Sequence, residues 1–218
     1  MLRHCMLPRF DWYHDRVETS SGTPAVASWF TPSTVLVHLV ILALFGVVWP
    51  WTRGVNFFDP VFLAAYACLG VLFSGPAAAQ LFSDPPRAMR EALARVGLAV
   101  LYGEIMALLI LAGGIATVLI TRRVPIGPDW IDLAEAAGMG LAGSLAMAAV
   151  AGWVTLRYSP AAARQIMRAI LFALLVLFFY KSRWLPDVLG RGTSMCLGVA
   201  FLALFGIHRA VASRSISA

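Results

Sequence analysis

Long apolar runs alternate with short polar segments along most of the chain. We predict that six of these runs cross a membrane, and they comprise residues 35–51, 61–81, 96–121, 133–156, 169–180 and 193–207. A helix needs roughly 20 apolar residues to cross about 30 Å of hydrocarbon, and the runs come close to that length once their amphipathic ends are counted. The pattern therefore predicts an all-α, polytopic integral membrane protein with six transmembrane helices.

The polar segments divide the chain into three predicted parts. These are a cytoplasmic N-terminal tail (1–32), a six-helix transmembrane domain (33–208) and a C-terminal tail (209–218). The N-terminal tail either lies at the membrane surface, where its aromatic residues would sit among the headgroups, or is disordered. Within the domain, residues 82–95 are too polar to cross a membrane, and their prolines and arginines predict a separate, capped surface helix. Residues 157–168 predict a short basic hinge between the fourth and fifth spans.

The composition supports a membrane location and argues against nucleic acid as a partner. Hydrophobic residues make up 60% of the chain and charged residues only 13%, whereas soluble domains contain roughly 25% charged residues. The net charge is +6, but the basic residues stand singly or in small groups beside apolar runs. This placement is typical of topology signals and of contacts with lipid headgroups. The lipid bilayer is therefore the expected partner of this charge.

The distribution of Lys and Arg predicts the orientation. The tails and the segments 82–95 and 157–168 together carry 11 of the 17 basic residues, and the segments on the opposite side carry 6. Because cytoplasmic segments are enriched in Lys and Arg, both termini are predicted to face the cytoplasm. We expect the protein in the cytoplasmic (inner) membrane of a bacterial cell.

Glu104 and His38 are candidates for an intramembrane polar pair. Glu104 is the only acidic residue far inside an apolar run, and ionisable residues within spans normally face the interior of a helix bundle with a partner. His38 enters the first span from the same side to a similar depth, so the two side chains are predicted to share a proton or a hydrogen bond. The alternative is that a tilt or shift of the long third span brings Glu104 to the headgroups.

Small residues recur every fourth position in the fourth span. Gly140, Ser144, Ala148 and Gly152 belong to this series, and residues four apart lie on one face of a helix. Small residues allow transmembrane helices to approach closely. We therefore predict a helix-packing ridge, without chemistry of its own.

No combination of residues predicts catalysis or a bound cofactor. Ser144 lies near mid-membrane and His208 at the end of the sixth span, so they are too far apart for the hydrogen bond that a Ser/His pair requires. The sequence has no paired-carboxylate metal site, no His-rich cluster and no glycine loop of the kind that binds phosphate. We predict that the protein is not an enzyme and binds neither a metal nor a cofactor.

The junction of the fourth and fifth spans resembles a known family. In residues 148–175, a helix rich in small residues is followed by Thr155-Leu156-Arg157-Tyr158-Ser159-Pro160, by Ala161-Ala162-Ala163-Arg164-Gln165 and then by a bulky apolar helix. This segment resembles the fourth-to-fifth span junction of type-2 ABC transporter permeases. Six spans, cytoplasmic termini and a helical cytoplasmic segment between spans two and three are also similar to that family.

The resemblance implies a membrane-spanning permease subunit of an ATP-driven exporter. Such a subunit would pair with a second half, identical or different, and with a separate P-loop ATPase that binds the ATP, since this chain has no Walker A motif. The coupling helix that receives the ATPase would carry Arg87, Arg90 and Glu91. The alternative function is a non-transporting membrane scaffold or assembly protein that acts through its small-residue ridge.

Overall fold

The structure is a computed structural model that describes residues 32–53, 60–121, 130–181 and 185–215. Every element in these ranges is helical, which confirms the all-α prediction for them. In chain order the elements are α1 (Pro32–Ala43), a π-helical turn (Leu44–Val48), α2 (Trp49–Arg53), α3 (Pro60–Leu81), α4 (Met89–Ile120), α5 (Trp130–Arg157), α6 (Pro160–Lys181) and α7 (Leu185–Ser215). The predicted N-terminal tail, apart from its last residue, lies outside the described residues.

A proline explains the π-helical turn between α1 and α2. Pro50 has no N–H, so the carbonyl of Gly46 loses the donor that an unbroken α-helix would supply. The hydroxyl of Thr117 on α4 donates a hydrogen bond of 2.9 Å to that carbonyl. Gly46 also lies against the backbone of α4, where its nearest neighbours include Gly113. The irregular turn is therefore satisfied by a neighbouring helix, as lipid requires.

The predicted surface helix at 82–95 is wrong, because residues 89–95 are the first two turns of the long helix α4. Two successive prolines, Pro85 and Pro86, disfavour helical backbone at the residues that precede them. No proline follows between Met89 and Ile120, so the helix continues uninterrupted once it starts. Residues 82–88 form the irregular turn between α3 and α4.

The guanidinium of Arg95 fixes this turn. It donates to the carbonyl of Leu81 at 2.7 Å, at the end of α3, and to the carbonyl of Asp84. It also forms an ion pair with Glu91, one turn earlier on α4. The last carbonyls of a helix lack intrahelical donors, so Arg95 both caps α3 and ties the turn to α4.

The fourth and fifth spans are separated by a tighter turn than the predicted hinge at 157–168. Helix α5 ends at Arg157, and α6 already begins at Pro160. The hydroxyl of Ser159 accepts a hydrogen bond of 3.1 Å from the N–H of Ala162, and a proline in the first helical position is favourable. The Ser-Pro pair therefore starts α6 nine residues earlier than the apolar pattern predicted.

The C-terminal helix also extends beyond its predicted end. Residues 209–215 continue α7 instead of forming a tail. Arg214 donates a hydrogen bond of 3.1 Å to the carbonyl of Leu156, so it caps α5 much as Arg95 caps α3. This contact holds the last turn of α7 against the end of α5.

Helix α5 is the centre of the described bundle and packs against α3 and α7. The contacts of Gly143 with Val71 and of Gly152 with Phe82 show that α3 and α5 run in the same direction. The residues of the predicted ridge, Gly140, Ser144, Ala148 and Gly152, are all buried. Alanine and glycine thus dominate the interface, as expected where close approach of backbones stabilises helix association.

The outer surface and the helix lengths are those of a multi-pass membrane protein. Four described helical segments are long and apolar enough to cross a membrane, namely Val35–Thr52, Met89–Ile120, Leu133–Arg157 and Arg191–Arg214. Large apolar side chains such as Leu108, Phe201 and Leu202 point outward with more than 60% of their surface exposed. Soluble proteins rarely expose so much continuous apolar surface, whereas hydrocarbon covers it without cost.

Candidate functional site

A carboxyl group joins two helices in the middle of the bundle. The hydroxyl of Ser144 on α5 donates a hydrogen bond of 2.6 Å to Oε1 of Glu104 on α4. Ser144 is completely buried, whereas Glu104 is partly exposed. Its second oxygen, Oε2, accepts no hydrogen bond from the described residues. The carboxyl group is thus anchored by one oxygen and open at the other.

Two glycines create the space for this contact. A Cβ atom at Gly70 on α3 would lie 2.6 Å from Oγ of Ser144 and 2.7 Å from Oε1 of Glu104. A Cβ atom at Gly103 on α4 would lie 2.5 Å from the carbonyl oxygen of Gly70. At Gly103 the neighbour is backbone, so only glycine lets α3 and α4 approach this closely. At Gly70 an added Cβ atom would displace the Ser144 and Glu104 side chains from their present positions. We call Gly70, Gly103, Glu104 and Ser144 the polar crossing.

The polar crossing lies far from the helix ends. Gly70, Glu104 and Ser144 are each within a residue or two of the midpoint of their helices, α3, α4 and α5. At 1.5 Å per residue, Glu104 is about 22 Å from either end of α4. Glu104 thus lies near the middle of a helix that is long and apolar enough to cross a membrane, and its side chain is half-buried.

His38 and Glu104 have different hydrogen-bond partners. Nε2 of His38 and the hydroxyl of Tyr102 share a hydrogen bond of 2.6 Å, and the His38 ring lies 4.8 Å from the ring of Phe73 on α3. Tyr102 and Glu104 are two residues apart on α4, so they point about 200° apart around the helix. The structure thus places His38 and Glu104 in two separate polar contacts, one with Tyr102 and one with Ser144, on opposite faces of α4.

Arginine side chains surround one end of the bundle. The ends of α3, α5 and α7 lie there together with the starts of α4 and α6, as the contacts of Arg95, Arg214 and Gly152 establish. We call this the basic end, and its exposed arginines are Arg87, Arg90, Arg157, Arg164, Arg168, Arg209 and Arg214. The density of positive charge is high enough to attract an acidic surface.

The three residues predicted for the coupling helix have distinct roles at the basic end. Arg87 lies in the turn before α4, and Arg90 lies in the first turn of α4, with both side chains exposed. Glu91 instead accepts a hydrogen bond of 2.8 Å from the backbone N–H of Arg87 and pairs with Arg95. Glu91 therefore organises the start of α4, while the two arginines remain available to a partner.

The described residues contain no group of three or more His, Cys, Asp and Glu side chains that could hold a metal ion. The buried hydroxyl of Ser144 is directed at Glu104. The polar crossing therefore contributes one hydrogen-bonded carboxyl group and one hydroxyl group. Its four residues do not include the separate base and orienting group that activate a hydroxyl nucleophile.

No protein-family model matches the chain, and no curated protein or solved structure matches it.

The sequence pattern did not reveal which side chains meet. Ser144 was predicted only as a packing residue, and Tyr102, Arg95 and Thr117 were given no role. A usable signal existed for Ser144, because Glu104 and Ser144 lie 8 and 12 residues from the ends of their predicted spans that face the same side, so their depths differ by only about 6 Å. A hydroxyl at a similar depth on the next helix is a natural donor for a buried carboxyl group.

Proposed function

We propose that this chain is the membrane-spanning permease subunit of an ATP-driven, ABC-type exporter, with six spans and both termini in the cytoplasm. A separate P-loop ATPase binds and hydrolyses the ATP, and a second permease half completes the transporter. The resemblance of the 148–175 segment to type-2 permeases motivates this function. The observation that supports it most is the α3–α4 turn at the basic end, which Arg95 links to both helices and beside which Arg87 and Arg90 are exposed.

The α3–α4 turn connects the exposed arginines to the polar crossing through one continuous helix. Arg95 holds the end of α3 and the start of α4 in one unit, and α4 continues without a break from Met89 to Glu104 in the polar crossing. A load applied to Arg87 and Arg90 therefore reaches the middle of the bundle along one helix. Exposed arginines suit an acidic docking surface, where rim charges mainly set association rate and salt dependence.

Co-purification tests this function. The tagged chain is extracted in mild detergent, and retained proteins with a Walker A motif are identified by mass spectrometry. The wild type should retain one such ATPase, and the double variant Arg87→Glu with Arg90→Glu should lose it in a salt-dependent way. Arg191→Glu, which reverses an exposed charge near the start of α7 at the opposite end of the bundle, is the matched control and should retain the ATPase.

One result would contradict the permease function, and a second would contradict the proposed docking surface. The first is a wild-type chain that is stably inserted but retains no P-loop ATPase in several detergents. This result would favour the alternative of a membrane scaffold that assembles through small-residue contacts such as those of Gly152. The second is an unchanged ATPase yield from the double variant, which would remove the α3–α4 turn from the docking surface.

A further inference from the structure

The second carboxyl oxygen of Glu104, Oε2, has no hydrogen-bond partner among the described residues. A carboxylate at mid-membrane is costly unless a positive group or several donors compensate it. Ser144 satisfies only Oε1, and the ion pairs among the described residues involve Arg95 with Asp84 and Glu91, far from Glu104. A cation that pairs with Oε2 therefore comes from outside the described bundle.

The surroundings of Glu104 define the character of that positive group. Leu101 and Leu108 lie three residues before and four residues after Glu104, on the same face of α4. Both are largely exposed, at 56% and 62%. The carboxyl group is thus an isolated acidic point on an apolar surface. A compact hydrated ion gains nothing from such a rim, whereas a cation with a large apolar body can cover both leucines and bring its charge to Oε2.

A second copy of this chain is a poorer source of the charge. Among the described arginines and lysines, Arg168 lies deepest when each is counted from the nearer end of its helix, at eight residues into α6. At 1.5 Å per residue that is about 12 Å, against about 22 Å for Glu104 along α4. Arginine side chains near helix ends also extend toward the headgroups rather than toward the membrane centre. The difference in depth favours a mobile ligand.

We infer that Glu104, oriented by Ser144, is the recognition site for amphipathic organic cations, and that this class is the substrate of the exporter. The substrate assignment rests on the proposed function, whereas the binding site itself does not. Ser144 acts as a positioning residue, because its hydroxyl donates a hydrogen bond to Oε1 and so restrains the carboxyl group. Leu101 and Leu108 supply the contact for the apolar part of the ligand.

Binding of tetraphenylphosphonium to the purified full-length chain in lipid nanodiscs tests the inference. Equilibrium dialysis measures saturable binding, with empty nanodiscs as the reference for partition into lipid. Wild type should bind, and Glu104→Gln, which preserves side-chain volume and an acceptor for Ser144, should bind about ten-fold more weakly or worse. Glu135→Gln removes an exposed carboxyl group from the same protein and is the matched control, so its affinity should equal that of the wild type.

Three results would overturn the inference: no saturable binding by the wild type, equal affinity of Glu104→Gln and wild type, or equally tight binding of tetraphenylborate, which has the same shape and the opposite charge. Thermal unfolding of each variant verifies that a loss of binding is not a loss of folding. Because the assay contains no ATPase, its outcome is independent of co-purification. Cation binding without a retained ATPase would support the binding site and contradict the exporter function. A retained ATPase without cation binding would support the exporter function and contradict the binding site.

Discussion

Gly103→Ala tests the polar crossing at its narrowest point. The added Cβ would lie 2.5 Å from the carbonyl oxygen of Gly70 and 3.0 Å from Cβ of Ser74. A main-chain carbonyl cannot rotate away without distorting α3. The two helices must therefore separate by about 0.9 Å to restore an ordinary contact, and a gap of that size removes roughly a quarter to a half of the dispersion attraction between the atoms it parts.

Gly97→Ala on the same helix is the matched control. Nothing lies within 4 Å of a Cβ at Gly97, so this variant gains only the helix-propensity benefit of alanine over glycine, about 1 kcal/mol. Gly103→Ala gains the same amount but loses about 1–3 kcal/mol through overpacking. We expect the two variants to differ by about 2 kcal/mol in the free energy of unfolding, with Gly103→Ala the less stable.

The assay is thermal unfolding of both variants in the same detergent. For a chain of 218 residues, a difference of about 2 kcal/mol corresponds to a Tm difference of about 4–8 °C. The reasoning is refuted if Gly103→Ala unfolds at the same temperature as Gly97→Ala, because α3 and α4 would then not approach as closely as the polar crossing requires.

Three further predictions concern the helix contacts and the orientation. Thr117→Val should lower the free energy of unfolding by about 1 kcal/mol through loss of its interhelical hydrogen bond. The loss should be smaller in a Pro50→Ala background, because the backbone N–H at position 50 can then donate to the carbonyl of Gly46. Equal losses in both backgrounds would contradict the explanation of the π-helical turn. Gly152→Leu should destabilise the chain by about 2 kcal/mol through a clash with the Phe82 ring, and Phe82→Ala should recover part of this loss in thermal unfolding; an unchanged Tm for Gly152→Leu would show that the contact is loose. A cysteine at Ala88 should be protected from an impermeant thiol reagent added to intact cells. Labelling from outside would contradict the proposed cytoplasmic location of this turn.

The sequence was sufficient to predict where helices form. Apolar runs alternating with polar segments predicted the positions of α3 and α5 to within a few residues, since only helices satisfy the backbone inside hydrocarbon. The spacing of four likewise predicted that Gly152 and the other ridge residues share one packing face of α5. Both predictions depend on local properties of the chain, which a sequence displays directly.

Helix ends were predicted less well because polarity was given more weight than backbone chemistry. The charged segment around Arg90 was assigned to a separate surface helix, although nothing after Met89 stops a helix. The stretch from Pro160 to Arg168 was assigned to a hinge, although Ser159 and Pro160 form a helix start. Long α-helices that extend beyond the hydrocarbon carry arginines at their ends, and composition alone does not distinguish them from surface segments.

The partners in the polar crossing depend on how the helices are rotated relative to one another. Depth along a helix follows from residue number, and it suggested a pairing of Glu104 with His38. Direction around the helix decides the contact, and it separates Tyr102 from Glu104 by about 200°. The rotation of α4 is set by packing at Gly103 and Gly70, a property of three helices together that no single run of sequence contains.

Site-specific photo-crosslinking from Arg90 in living cells tests the central claim most directly. A photoreactive phenylalanine analogue replaces Arg90, which is exposed in the first turn of α4, and the crosslinked product is identified by mass spectrometry. The permease function predicts an adduct with a P-loop ATPase, and the same analogue at Phe172, an outward-facing residue of α6, should give none. An inserted chain that crosslinks from Arg90 only to lipid, while the ATPase is absent from every adduct, would contradict it.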